Sequence, residues 1–153
     1  MKKYELLKDD TIEVAGKTLF RIKALISFKD IRKGEIGGYV EAERNLSQSG
    51  NACVTDNAWV SGNACVTGNA RVSGNARVSG NAWVETSNDY IVFKNNWSSF
   101  RWFTYTKSNK MWRVGCFYGT GDELIKKAYA DSEESGRKYE LYVNLVKELY
   151  RDE

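Results

Sequence analysis

The 153-residue chain contains no histidine. That absence removes the commonest general base, the commonest metal ligand and every Ser/His or Cys/His nucleophile pair. Cysteine is scarce and odd in number: Cys53, Cys65 and Cys116 form no CxxC and stand too far apart for a short metal knuckle. Free thiols are expected, with no disulfide and no metal site. Long apolar runs are also missing. The opening "MKKYELLKDDTIEV" has no long apolar run after its two lysines, unlike a secretory signal or a membrane span, so a cytoplasmic location and no membrane partner are expected. Excess charge of one sign is missing too. The net charge is +3, and the lysines and arginines are spread along the chain among 20 acids. Such a balance gives solubility and makes nucleic acid an unexpected partner.

What is present is a repeat. Hydrophobic residues at 42% and charged residues at 28% are those of an ordinary soluble protein, and the length suits one compact unit or two small ones. Aligned on Asn, residues 45–86 read NLSQSG, NACVTD, NAWVSG, NACVTG, NARVSG, NARVSG, NAWVET. A strict six-residue period is the signature of a parallel β-helix. Ala and Val sit two apart in each unit, as in Ala70 and Val72, so both point to the same side of a short strand. That side faces in, while the Gly-Asn pair supplies the left-handed backbone conformations of a corner. A disordered low-complexity linker would not hold a β-branched residue at fixed spacing.

The pattern resembles the hexapeptide-repeat, left-handed β-helix family, in which three hexapeptides close one triangular turn. The resemblance implies that units three apart stack, placing Arg77 above Trp59, Arg71 above Cys53 and Trp83 above Cys65. Trp59 and Arg77 then form a cation–π pair worth about 0.5–1 kcal/mol if exposed. A solenoid of little over two turns buries little and leaves its ends open. Trimers are usual in proteins of this kind, so a homotrimer is expected, with Trp59, Arg71, Arg77 and Trp83 at its interface.

The flanks read differently. "TIEVAGKTLFRIKALISF" suggests two strands joined at Ala15 and Gly16, with Ile12 and Val14 facing Leu19 and Ile22. "KGEIGGYV" is no GxGxxG and reads as a tight reversal capping the first turn. After the repeat, residues 90–118 are dense in aromatics. Runs 101–106 and 111–117 flank "KSNK" as a hairpin, which pairs Tyr105 with Trp112, Thr104 with Arg113 and Trp102 with Gly115. One face, Phe103, Tyr105, Trp112 and Val114, is expected to be core. The other, Trp102, Thr104, Thr106 and Arg113, is able to stack a ring, donate hydrogen bonds and grip an anion, or else forms an aromatic mini-core with a salt-bridged rim. Thr120 and Glu123 form a capping box that opens a helix. A second helix at about 136–150 carries Tyr139, Leu141, Tyr142, Leu145, Val146 and Leu149 as a docking stripe.

The architecture expected is therefore mainly β: an N-terminal hairpin and cap over 1–44, a short left-handed parallel β-helix over 45–86, and an α+β unit of hairpin plus two helices over 87–153. The whole chain is similar to a group of small phage and prophage proteins through the segments at 11–25, "GGYVE", "NLS", and "GCF" followed by "GT" and "DE". That similarity implies an accessory protein of the host cytoplasm, acting against host defence either by sequestering a nucleotide-like signal or by blocking a defence protein. Hexapeptide acyltransferases and carbonic anhydrases also look like this solenoid, but their chemistry needs histidine, which leaves a non-enzymatic protein without cofactor. Arg101, Trp102, Thr104, Arg113 and Tyr118 are the expected ligand residues, in grooves between subunits. Replacing Val72 by Asp buries an unpaired charge inside the repeat and is expected to abolish folding. Circular dichroism and gel filtration of that variant check it, and a soluble, native-like product would refute the inward register.

Overall fold

The computed structural model describes residues 2–151. Strands β1 (Tyr4–Val14), β2 (Lys17–Ala24) and β3 (Ile36–Val40) form an antiparallel meander. The β1–β2 turn falls at Ala15 and Gly16, both at positive φ, and Ile12 pairs directly with Leu19. Gly37 and Gly38 are strand residues rather than a reversal. A Cβ on either would come within 2.6 Å of the Val54 carbonyl oxygen or 2.7 Å of that of Ala58, so glycine lets β3 lie against the repeat.

The repeat forms β4 (Cys53–Val54), β5 (Trp59–Val60), β6 (Cys65–Val66), β7 (Arg71–Val72), β8 (Arg77–Val78) and β9 (Trp83–Val84). Strands three units apart pair in parallel: Cys53 with Arg71, Trp59 with Arg77, Cys65 with Trp83. Tyr39 of β3 continues the middle column beneath Trp59. The Ala and Val side chains from Ala52 to Val84 gather in one buried cluster shared by all three columns. Corners turn through Gly62, Gly68, Gly74 and Gly80 at positive φ, and where the motif reads NACVTD, Asp56 takes the same conformation at φ 57°. Asp is one of the few residues besides glycine that visit this region, and here its carboxylate accepts from the Gly74 amide of the next layer at 2.9 Å.

A stack of short strands has a polarity. The amides of Cys53, Trp59 and Cys65 donate to the carbonyls of Ala70, Ala76 and Ala82. One end is therefore left with carbonyls and the other with amides, and the chain closes both. At the carbonyl end, the buried Lys3 ammonium donates to Ala52 O at 2.7 Å, Asn45 Nδ2 to Ala64 O at 2.8 Å, and the Tyr39 amide to Ala58 O at 2.9 Å. At the amide end the acceptors are side-chain oxygens. Ser87 Oγ takes the Arg71 amide at 3.1 Å, Thr104 Oγ1 that of Arg77 at 2.9 Å, Ser108 Oγ that of Trp83 at 2.8 Å and Asp89 Oδ2 that of Glu85 at 2.9 Å. The open ends expected from the turn count are thus covered within a single chain.

The second cap is a four-stranded antiparallel sheet, β10 (Tyr90–Lys94), β11 (Trp102–Thr106), β12 (Met111–Val114) and β13 (Phe117–Thr120), followed by α1 (Gly121–Asp131) and α2 (Glu133–Leu149). The register pairs Tyr105 with Trp112 and Thr104 with Arg113, as expected, inside a larger sheet than the hairpin alone. Phe103, Tyr105, Trp112 and Val114 pack against the helices, while Tyr90 and Val92 reach the repeat core from the opposite face. Thr120 and Glu123 complete their capping box, with the Thr120 amide 2.8 Å from Glu123 Oε1. The docking stripe of α2 is partly different from the expected one. Tyr139, Val143 and Val146 are buried, whereas Leu141, Leu145 and Leu149 are 59%, 45% and 54% exposed. At about 100° per residue, Leu141 lies nearly opposite Tyr139, and a single sheet face covers only one side of a helix. Among the described residues no helix is long and apolar enough to cross a membrane, and Cys53, Cys65 and Cys116 are free thiols.

Two outcomes test this capping. Thr104→Val keeps the shape but strands the Arg77 amide, and a loss of about 1–3 kcal/mol is expected in urea unfolding; an unchanged midpoint would show that the cap is dispensable. Tyr4 is buried and donates its hydroxyl to Glu43 O at 3.0 Å, and burial, then the Glu43 carboxylate, pushes its pKa well up. Above about pH 10 the unfolded phenol ionises while the folded one keeps its proton, so stability falls as pH rises. The stability gap between the native chain and Tyr4→Phe is expected to narrow above that pH, and a gap constant to pH 11 would contradict the burial.

Candidate ligand cleft

The middle column of the repeat carries Tyr39, Trp59 and Arg77 in successive layers. The Arg77 guanidinium carbon lies 3.9 Å from the centre of the Trp59 ring, and Arg21 sits 4.3 Å over the Tyr39 ring one layer below. Parallel pairing sets Arg77 over Trp59, and the antiparallel β2–β3 pair sets Arg21 beside Tyr39, since same-facing residues of adjacent strands lie one strand spacing apart. Arg77 Nη1 also donates to the carbonyls of Asn57 and Ala76, each at 3.0 Å. No carboxylate lies within ion-pair distance of it among the described residues. Burial pulls its pKa down to about 10, which leaves a desolvated but fully charged guanidinium at neutral pH.

Two elements wall this column in. Below is the tip of the β1–β2 hairpin with Val14, Ala15 and Lys17; above is the edge of the C-terminal sheet with Arg113 and Tyr118. Between them runs a cleft of two lobes. The outer lobe, about 590 Å³, is lined by Phe100, Arg101, Trp102 and Cys116. The inner lobe, about 240 Å³, is lined by Lys17, Ser61, Ser79 and Tyr118. Trp59, Arg77 and Arg113 belong to both lobes and form the waist. No acid lines either lobe among the described residues. Phe100 and Trp102 are 64% and 42% exposed, and Phe100 holds a left-handed φ of 58°. Tyr118 closes the inner end: a Cβ on Gly80 would fall 2.0 Å from its hydroxyl, so only glycine admits the ring, and Asn109 donates to that hydroxyl at 2.9 Å. Burial raises the Tyr118 pKa, so the phenol stays neutral.

Of the residues read from the sequence as ligand-binding, Arg101, Trp102, Arg113 and Tyr118 meet in this cleft. Thr104 does not line it; it is 1% exposed and its hydroxyl is engaged by the Arg77 amide. The residues read as an oligomer face divide. Trp59 and Arg77 line the cleft, Arg71 pairs with Asp30, and Trp83 stands apart, its indole donating to Thr67 Oγ1 at 2.8 Å. The sequence reading missed Phe100, Lys17 and Ser79. The Ala15–Gly16 turn was visible in it, but nothing local says that its tip faces the middle column of the repeat.

Residues 70–85 match the family described as the YdcK beta solenoid repeat. The match covers the second layer of the repeat and agrees with the parallel ladders, so the fold includes a β-solenoid type of repeat. No curated protein matches the chain.

Proposed function

We propose that this chain is a non-enzymatic binding protein that sequesters a small anionic ligand with a flat ring, nucleotide-like in character, in the two-lobed cleft. The observation that carries the reading is Arg77: a charged, desolvated guanidinium with no carboxylate partner among the described residues, at the waist of a cavity that also holds Arg101 and Arg113. An anion supplies the missing counter-charge through charge-assisted hydrogen bonds, and guanidinium forks suit phosphate. Trp102 and Phe100 offer exposed rings for stacking. Lacking histidine, the cleft holds the ligand without turning it over.

The wider reading keeps what the family resemblance implies, a phage-type accessory protein directed against host defence, with a left-handed repeat and a homotrimer. In it the ligand lies within one subunit rather than in grooves between subunits. Trimer contacts fall on the flat faces, because both ends of the repeat are covered. A second reading, blockade of a host protein, draws on the exposed leucines of α2.

Native mass spectrometry of the purified chain against a nucleotide panel reads subunit number and bound ligand together. The Arg113 side chain makes no hydrogen bond or ion pair among the described residues, so Arg113→Ala is expected to weaken binding by about tenfold or more while leaving the melting temperature unchanged. Binding unaffected by that change would move the ligand out of the cleft. A chain that binds no nucleotide and captures a host protein through Leu141, Leu145 and Leu149 would favour blockade.

A further inference from the structure

The face of α2 turned away from the sheet has an order of its own. Glu134, Arg137, Leu141, Asn144, Glu148 and Arg151 are all exposed, and they recur at alternating steps of three and four residues. Arg151 lies just past the helix but continues its turn, with its amide 3.3 Å from Glu148 O. Such spacing draws one seam down a helix, the seam along which two helices pair. Leu145 and Leu149 widen it on one side, so three exposed leucines stand together along it. The charges at its two ends are self-complementary. Glu134 and Arg137 occupy one end, Glu148 and Arg151 the other, each acid three residues before its base. Read backwards, the seam sets Arg151 against Glu134 and Glu148 against Arg137. Read forwards against itself, it sets glutamate on glutamate and arginine on arginine. Within the chain Glu148 meets Arg151 at 2.7 Å and Glu134 meets Lys138 at 3.7 Å, but these are exposed pairs one turn apart, of little worth and free to exchange partners. Arg137 has no ion pair among the described residues.

We infer that a second copy of this chain docks on this face, α2 against α2 and antiparallel, about a twofold axis between Leu141 and Asn144. Leu141 and Leu145 of the two copies meet at the centre. The twofold repeats each charged pair, so Arg137 faces the partner's Glu148 and Glu134 the partner's Arg151 at both ends. These rim charges fix direction and register, while the leucines supply the affinity. A helix of this length spans about 25 Å, and two such faces bury less than the ~1,600 Å² of a standard interface, so association of about micromolar strength is expected. The contact lies across the C-terminal sheet from the repeat and uses no residue of the cleft, so it stands or falls apart from the ligand reading. It pairs subunits, giving a dimer, or six chains where threefold contacts also form. It also covers the leucines that a host protein would otherwise reach.

Sedimentation equilibrium of the full chain from about 1 to 200 µM tests the pairing. The mass is expected to rise with concentration to an even number of chains. Leu145→Glu changes an exposed position, so its circular dichroism is expected to match that of the native chain while its limiting mass halves. Arg137→Glu and Glu148→Arg are each expected to weaken association about tenfold, and the two together to restore it, because the exchanged charges meet again across the axis. An odd-numbered assembly at every concentration, a mass indifferent to Leu145→Glu, or a double variant no tighter than either single one overturns the antiparallel contact. A purified host protein held by Leu141 and Leu145 of a chain that does not pair overturns it in favour of blockade.

Discussion

Everything in this molecule depends on the hydrogen-bonding polarity of a repeat that is only two layers deep. In a long solenoid the terminal layers are a small fraction of the whole. Here each layer is terminal, with one row of carbonyls and one row of amides that water or the chain must satisfy. The sequence on the N-terminal side brings donors, the Lys3 ammonium, the Asn45 amide and the backbone of β3. The sequence on the C-terminal side brings acceptors, the hydroxyls of Ser87, Thr104 and Ser108 and the carboxylate of Asp89. Swapping the two flanks would leave like facing like at both ends.

The caps also build the cleft. Thr104 ties β11 to the backbone of Arg77, and its cross-strand neighbour Arg113 is thereby placed beside the Arg77 side chain. The β1–β2 hairpin is joined through β3 to the same column from below, which brings its turn opposite. The cavity is therefore the gap left between two capping elements that meet one column of the repeat. Its charge comes from Arg77, at the outward position of the hexapeptide, together with Arg101 and Arg113 from beyond the repeat.

Much of this was legible in the residues. The period and the Ala–Val spacing announce the parallel stack, and the three-unit offset that pairs Trp59 with Arg77 is the offset found. The Thr120–Glu123 box and the Tyr105–Trp112 register were equally plain, because each rests on local geometry. What sequence hides is the identity of a surface's partner. A threonine on the polar face of a strand looks the same whether it caps a neighbouring edge or meets a ligand, and Thr104 does the first. Leu141, Leu145 and Leu149 keep helical spacing and yet face outward, since spacing reports a stripe and not which stripe is covered.

The hairpin tip is fixed to one end of the stack and the sheet bearing Arg113 to the other, so the number of layers sets the distance between the walls of the cleft. One more set of three hexapeptides would raise the upper wall by about one strand spacing, roughly 4.8 Å, without altering either cap. Copy number in the repeat thus works as a caliper: gain or loss of three hexapeptides resizes the cavity in fixed steps. The number of hexapeptides sets how wide the jaws stand, while the side chains on the jaws set their chemistry.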